Sequence, residues 1–412
     1  MLVIYMKYAF ALGRHPTLSV AELVRAIPGL TIESAENGVC VANCPELAPD
    51  FINKLGGTIK IIVIDKQVES LSEISAALLR KLLPPREGRI IFGISVYGQV
   101  PGVERRRIYI EGLELKKAIK AEGRRARYVV SQDTQLSSVV IAKNKLINEG
   151  AEFVIIKERS RALIGHTVAV QEFEAYGERD FDRPGRSARR GMLPPKLAQM
   201  MVNIAGGDKS KTLLDPFCGS GTVLGEALLM GYTDVVGADI SAEAVSDTKA
   251  YLEWIEKAHP EFKGRWKVFA SDARTIDKLL APESVGAIVT EPSLGPPQNG
   301  RETPEQLKHI MNDELVLLYR DAITSLSKLL APRASAVFSF PVFNRNKGPI
   351  FTPVTQVANA LIPAPLVPSE YQNFGLPATS SGGALYERPD QFVGREIVLL
   401  KKIFPNTGDA GM

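Results

Sequence analysis

Four acidic residues recur at one kind of place in the second half of this 412-residue chain. Each closes a short apolar run: Asp215 in "TLLDPFCGSGTVLGEALLMG", Asp239 in "DVVGADIS", Asp272 in "WKVFASDAR" and Glu291 in "VGAIVTEPSLGPP". Gly219, Ser220 and Gly221 follow Asp215, and a helical pattern follows them. Glycines let a backbone approach a ligand, and open α/β sheets bind at the carboxyl edge of their strands. The loop lacks the Lys-Ser/Thr of a P-loop and the full G-x-G-x-x-G fingerprint. A carboxylate at its head would repel a pyrophosphate but would pair with a cationic amino group. Asp239 can accept from both ribose hydroxyls of a nucleoside. Asp272 can accept from an adenine amino group while the Ala273 N–H donates to a ring nitrogen. A single such acid is most often a helix N-cap; three in succession are hard to explain as structure alone.

Such an edge needs strands alternating with helices. Residues 196–412 supply them: after "TLLD" and "DVVGAD" come "AEAVSDTKAYLEWIEKA" as a helix, "WKVFA" and "VGAIVT" as strands, "DELVLLYRDAITSLSKLL" as a helix, and "ASAVFSFPVF" and "EIVLLKKI" as late strands. This alternation predicts a parallel sheet covered on both faces. Residues 1–170 read as α+β. They include a helix "TLSVAELVRAI" with Thr17 as N-cap, the strand "RIIFGISVYG" followed by a basic stretch, the helix "EGLELKKAIKAEG", and the helix "QLSSVVIAKNKLINEG" capped by Gly150. Residues 171–195 are charged and rich in Gly and Pro, and are expected to be a linker. The Pro- and Gly-containing segment 341–389 is open to reading as an ordered loop or a lid.

Composition excludes several classes. The chain is 45% apolar and 23% charged, as an ordinary soluble globular protein is. Three cysteines make no disulfide framework, and no His/Cys/Asp cluster has metal-ligand spacing. A reducing, cytoplasmic setting and no metal are expected, and no apolar run approaches the roughly 20 residues of a membrane helix. The formal net charge of +4 is mild, but nine Lys and Arg lie between Arg105 and Arg127, and Arg183, Arg186, Arg189, Arg190 and Lys196 form a second cluster. Clusters of this kind suit a phosphate backbone, through release of its counterions, and equally suit a solvated surface.

The stretch "DPFCGSGTVLGEAL" together with "GADIS", "SDA" and a fourth strand ending in acid-Pro resembles the class I methyltransferases of exocyclic amino groups. More narrowly, the chain resembles the THUMP-containing tRNA guanine N2-methyltransferases that act at position 10 of tRNA. "ALGRHPTLSVAEL", "FGISVYG" and above all "GHTVAVQEFEAYGERDFDRPGRSARRGMLPPKLAQMMVNIA" carry that likeness along nearly the whole chain. The resemblance implies a Rossmann-like methyltransferase domain behind a ferredoxin-like and THUMP region that holds tRNA. It implies S-adenosylmethionine as cofactor, bound by Asp215, Phe217, Gly219, Gly221, Asp239, Ile240, Asp272 and Ala273. Arg105, Arg106, Arg107, Arg186, Arg189 and Arg190 would then meet tRNA. No membrane partner is implied; a small activator protein, the oligomeric state, the tRNA species and mono- versus dimethylation stay open.

The family's Asp-Pro-Pro-Tyr motif accepts the amino hydrogens and stacks on the base. Here Glu291 stands for the acid, Pro292 for the first proline, Ser293 for the second and Leu294 for the aromatic. Glu291 and Pro292 are the expected catalytic pair. Glutamate reaches about one methylene further than aspartate, and misplacement by about 1 Å can cost roughly a hundredfold in rate. The backbone would have to be set back to compensate. Phe340 or Phe343 is expected to stand in for the absent aromatic. Two readings therefore stand, an active amino-methyltransferase and a catalytically silent RNA-binding relative.

Overall fold

The computed structural model describes residues 4–83, 88–185, 192–260, 263–343, 348–358, 360–388 and 391–402. β-branched and aromatic runs build eight strands among the described residues of the first half: β1 (Tyr5–Leu12), β2 (Thr31–Glu36), β3 (Val39–Pro45), β4 (Thr58–Val68), β5 (Ile90–Tyr97), β6 (Ala126–Val129), β7 (Gly150–Lys157) and β8 (Ala162–Val170). They form one sheet in the order β2-β3-β1-β4-β8-β7-β5-β6. The pairs β5/β6 and β5/β7 are parallel and the others antiparallel. Lys60 is buried in this sheet, with its ammonium 2.7 Å from Glu152 and 2.6 Å from the Leu136 carbonyl. Glu152 also accepts from Ser95 and Thr167. Breaking such a pair costs about 3–5 kcal/mol, because the remaining charge is left uncompensated.

Three local expectations change. The first helix runs Pro16–Ala26, so Thr17 lies inside it; Pro16 opens it with a φ already suited to a helix. The single helix expected over "QLSSVVIAKNKLINEG" is shorter. Ser137 caps Ser138–Lys143, and Lys145, at φ +52°, lies outside helical geometry. Gly150 opens β7 instead of capping a helix, and a Cβ there would lie 2.2 Å from the Ile91 carbonyl oxygen. The basic stretch after β5 is helical, Gly102–Ala121.

That helix sorts the first basic cluster. Arg105 and Arg106 are exposed and border a surface cleft with Tyr109, Tyr128 and Gln132. Arg107 is a correction to the expected phosphate contacts: its Nε pairs with Glu104 at 3.0 Å, and its guanidinium donates to the Ile74 and Leu71 carbonyls. Its fork is spent on holding its own unit together. Arg89, Lys120, Arg124 and Arg125 line a second, basic cleft.

The second half adds β9 (Thr212–Asp215), β10 (Asp234–Asp239), β11 (Arg265–Ala270), β12 (Val285–Thr290), β13 (Leu330–Phe343), β14 (Ile350–Phe351), β15 (Leu361–Ala364), β16 (Ala384–Tyr386) and β17 (Val393–Lys402). The sheet order is β11-β10-β9-β12-β13-β17-β15, with β14 on β13 and β16 on β17. The first five run parallel, whereas β17 is antiparallel and lies between β13 and β15. Apolar residues such as Leu214, Ile288, Phe338 and Val398 form its core against Tyr319, Ile323 and Leu326 of the helix Val316–Leu329. Within 341–389 the described residues supply β14, β15 and β16 and two short helical turns, so part of this segment is sheet edge. The chain divides into two compact units, one of residues 1–20, 27–175 and 373–376 and one of 21–26, 176–372 and 377–412.

The charged segment 171–195 contains helical turns at Phe173–Gly177 and Glu178–Asp182. Arg179 and Arg183 within it are buried. Among the described residues no helix is long and apolar enough to cross a membrane.

Candidate cofactor and transfer site

Parallel strands place their carboxyl ends at one edge, and the four sequence-marked acids meet there. Asp215, Asp239, Asp272 and Glu291 all line one cavity of about 550 Å³. That lies within the roughly 300–1,000 Å³ usual for small-molecule sites. Six carboxylates (these four with Glu243 and Asp247) and one arginine, Arg274, border it. Such a lining favours a cation and disfavours a phosphate.

Asp215 ends β9 and is 2% exposed. Its Oδ1 accepts from the Thr290 hydroxyl at 2.6 Å and from the Phe217 N–H at 3.2 Å. Burial pushes its carboxyl up to about 7; the two hydrogen bonds oppose this, and the charges of Asp239 and Glu291 add to it. Gly219 and Gly221 take φ of +52° and +82° in the loop that follows. At Gly221 a Cβ would also lie 2.9 Å from Thr248 Cγ2, so backbone and packing both require glycine. Cys218, just before them, is buried with its thiol pushed well up by burial, and it packs rather than reacts.

This loop is braced from behind. Arg183 donates to the Ser220 carbonyl and to Thr222 Oγ1 at 2.7 Å, and its guanidinium lies 3.4 Å from the Tyr251 ring centre. Arg179 pairs with the fully buried Glu226 at 2.6 Å. Arg183 belongs to the second basic cluster of the sequence, but at 4% exposure it is a structural brace and not a phosphate contact. Arg186, Arg189 and Arg190 lie outside the described residues.

Asp239 ends β10, where Oδ2 accepts from the Gly219 N–H at 3.0 Å and Oδ1 from the Ser241 N–H at 2.9 Å. Its carboxylate is fixed in orientation, with further lone pairs available to hydroxyl donors. Ile240 beside it lines the cavity and is 74% exposed, an apolar side chain that a flat ring can cover. Ala273 is buried. Asp272 is more occupied than its sequence position suggests. It caps the turn at Ala273–Lys278 through the Arg274 N–H and takes the Arg274 guanidinium through both oxygens, at 2.6–3.0 Å. Hydrogen bonds from Arg274 hold its carboxyl below the usual range.

Glu291 follows β12 directly. Its Oε1 accepts from Arg395 Nε at 2.6 Å and from the Ser339 hydroxyl at 2.9 Å, and Oε2 accepts from Arg395 Nη2 at 3.2 Å. Burial alone would lower Arg395, but its pairing with Glu291 prevails and holds the guanidinium above its ordinary value. Pro292 is buried, Leu294 is half-buried, and Tyr319 donates to the Ser293 carbonyl. Phe340 and Phe343 are 0% and 1% exposed in the core, so neither can stack on an incoming base. Contrary to the sequence expectation, neither replaces the aromatic of the motif.

Residues 183–338 match the RMKL-like methyltransferase domain of the UPF0020 family. The probable tRNA (guanine(10)-N2)-dimethyltransferase of Methanothermococcus thermolithotrophicus is 32% identical over 121 residues, 29% of this chain and 73% of that one. The chain belongs to the tRNA guanine N2-methyltransferase family. Other members of the family aligned with it are the tRNA (guanine(10)-N2)-dimethyltransferases of Methanothermobacter thermautotrophicus, 43% identical over 105 residues, and of Pyrococcus abyssi, 28% identical over 239 residues. These alignments cover 26% and 56% of this chain, and 28% and 66% of those relatives' lengths. The crystal structure of TrmN from Thermus thermophilus shares the fold, with a TM-score of 0.52 at 17% identity over 97% of this chain and 100% of that one.

The sequence reading missed Arg395, Ser339, Thr290 and the bracing role of Arg183. For Arg395 a signal existed: "GREIVLL" carries two adjacent charges in an otherwise apolar strand, and both Arg395 and Glu396 are buried.

Proposed function

We propose that this protein methylates the exocyclic amino group of a guanine in tRNA, N2 at a position-10 type site, with S-adenosylmethionine as donor, in the cytoplasm. The observation that carries the reading is the convergence of four strand-end acids on one acidic cavity, with Glu291-Pro292 at its border. The relatives, tRNA (guanine(10)-N2)-dimethyltransferases, support the choice of acceptor.

The residues present fit the cofactor. Asp215 offers a buried carboxylate to an ammonium group, Asp239 a fixed carboxylate to two hydroxyls, and Ile240 an apolar face to a ring. Ala273 would offer its N–H to the same ring, and Asp272 would accept from the ring's amino group in place of one of its present Arg274 contacts. When bound, S-adenosylmethionine supplies an electrophilic methyl group whose bonding pair stays on sulfur as the amino nitrogen attacks. The chain's own work is to orient and to accept protons. A guanine amino group is a weak nucleophile, because its lone pair is delocalised into the ring. Glu291, and by resemblance the Pro292 carbonyl, accept its hydrogens and localise the pair, and the Glu291 carboxylate receives the proton released after attack.

The deciding experiment incubates purified protein with S-adenosylmethionine and unmodified tRNA, then analyses the nucleosides by mass spectrometry. N2-methylguanosine or its dimethyl form is expected; no methylated nucleoside under any salt or temperature would sink the reading. Cofactor binding without transfer would fit a silent RNA-binding relative.

We assign the ferredoxin-like and THUMP character implied by the sequence to residues 1–170, and tRNA phosphate contacts to Arg105 and Arg106, whose side chains are exposed beside the Tyr109–Tyr128 cleft. The double substitution Arg105→Glu and Arg106→Glu in the full chain should weaken tRNA binding. It should also reduce the slope of log affinity against log salt by about one to two. An unchanged slope in filter-binding titrations would place the footprint elsewhere.

A further inference from the structure

Glu291 raises a problem of reach: its side chain is about one methylene longer than the acid of the family motif, yet the same loop must deliver it. The three adjacent strands around it answer the problem. Thr290, the last residue of β12, pairs with Phe338 on β13, and Pro341 of β13 pairs with Arg395 of β17. Ser339 and Arg395 thus stand beside Glu291 on the two next strands, and both donate to its carboxylate. The pair is well shielded, with side-chain exposures of 5% for Arg395 and 13% for Glu291.

Counting acceptor sites gives the consequence. Each carboxylate oxygen has about two. Oε1 holds two donors, Arg395 Nε and Ser339 Oγ, and is filled. Oε2 holds one, Arg395 Nη2, and keeps one site. We propose that Arg395 is a positioning residue for methyl transfer. It draws the extra length of Glu291 sideways onto β13 and β17, and it leaves one acceptor site, on Oε2, for one hydrogen of the target amino group. This rests on the amino-methyltransferase reading above. As the new N–C bond forms, the amino nitrogen carries one proton too many; that proton passes along its hydrogen bond to Oε2 and from there to water. Before transfer the Arg395 guanidinium, bonded to both oxygens, balances the charge of the Glu291 carboxylate inside a shielded site.

The test compares full-length wild type, Arg395→Met, Arg395→Lys and Ser339→Ala in methyl transfer to tRNA from about pH 6 to 9, with kcat separated from the KM for S-adenosylmethionine. Arg395→Met removes the counter-charge, which favours the protonated form of a shielded carboxylate. Its kcat should fall about a hundredfold at neutral pH and climb as pH rises, with the KM for cofactor within about threefold. Arg395→Lys should recover part of the rate and the wild-type pH profile. If Arg395→Met does not fold, as judged by its melting curve, Arg395→Lys and Ser339→Ala carry the test: each removes a donor and should lower kcat about threefold to tenfold. Wild-type activity with variants whose rates and pH profiles match it overturns this proposal alone. A wild type that transfers no methyl group overturns both it and the reading on which it rests.

Discussion

Glu291→Gln should lower methyl transfer about 10²–10⁴-fold while leaving cofactor affinity within about threefold. The amide keeps the shape of the side chain and can still accept one hydrogen bond, but it cannot take up the released proton. Glutamine also withdraws the counter-charge of a guanidinium that is 5% exposed, so the melting temperature should fall. Glutamine is still the cleaner substitution, because alanine would add a cavity to the same unpaired buried charge. Glu291→Asp separates two histories of the motif. An aspartate here is one methylene short of Ser339 and Arg395, whose donors now sit 2.6–3.2 Å from the glutamate. Its rate should drop, and adding Ser293→Pro and Leu294→Tyr should not recover it. Single-turnover transfer to tRNA measures this, and a Glu291→Asp protein faster than wild type would show a decayed Asp-Pro-Pro-Tyr motif rather than a rebuilt one.

Asp215→Asn should weaken S-adenosylmethionine binding at least tenfold, about 1.4 kcal/mol, and at the same time make the protein more stable above neutral pH. Both effects follow from the carboxyl that burial raises to about 7. The folded chain holds this proton to higher pH than the unfolded chain does. Native protein therefore binds more protons between about pH 4 and 7, and stability falls as pH rises through that window. A raised group of this kind contributes fully below its unfolded value and loses its contribution by its folded value. Asparagine keeps the Thr290 and Phe217 hydrogen bonds and has nothing to ionise; the gain above pH 7 is bounded at about 4 kcal/mol. Cofactor binding runs the other way, because an ammonium group needs the ionised acid. Wild-type affinity should rise with pH up to about 7 and then level off, whereas that of Asp215→Asn should be flat. Calorimetry at two pH values on either side of 7 and melting curves at the same values check both. Equal wild-type affinities across that step would remove Asp215 from the ammonium position.

The acids were legible because a parallel sheet turns a local signal into a spatial one. An apolar run that ends in an acid and a glycine loop marks a strand end wherever it lies, and parallel strands put such ends at one edge. Asp215, Asp239 and Glu291 line one cavity for that reason. Gly221 was legible for a related reason, since a left-handed turn against Thr248 admits no side chain. Helix limits were read less well where tertiary packing sets them, as at Gly150, whose place against the Ile91 carbonyl is a sheet contact.

What the sequence by itself determined was therefore the βαβ order, the acidic strand ends and the family likeness, all encoded in residues near one another in the chain. Tertiary structure alone decided which charges are spent and which are available. Arg107 and Arg183 look like their neighbours in the sequence, yet one is held by Leu71 and Ile74 and the other by Ser220 and Thr222. Phe340 and Phe343 look free to stack and are buried. Glu291 looks like an acid too long for its place until β17, antiparallel between β13 and β15, brings Arg395 to it from 104 residues away. The physical reason is range: period and turn chemistry act over a few residues, whereas a salt bridge or a buried face depends on which distant strand becomes the neighbour.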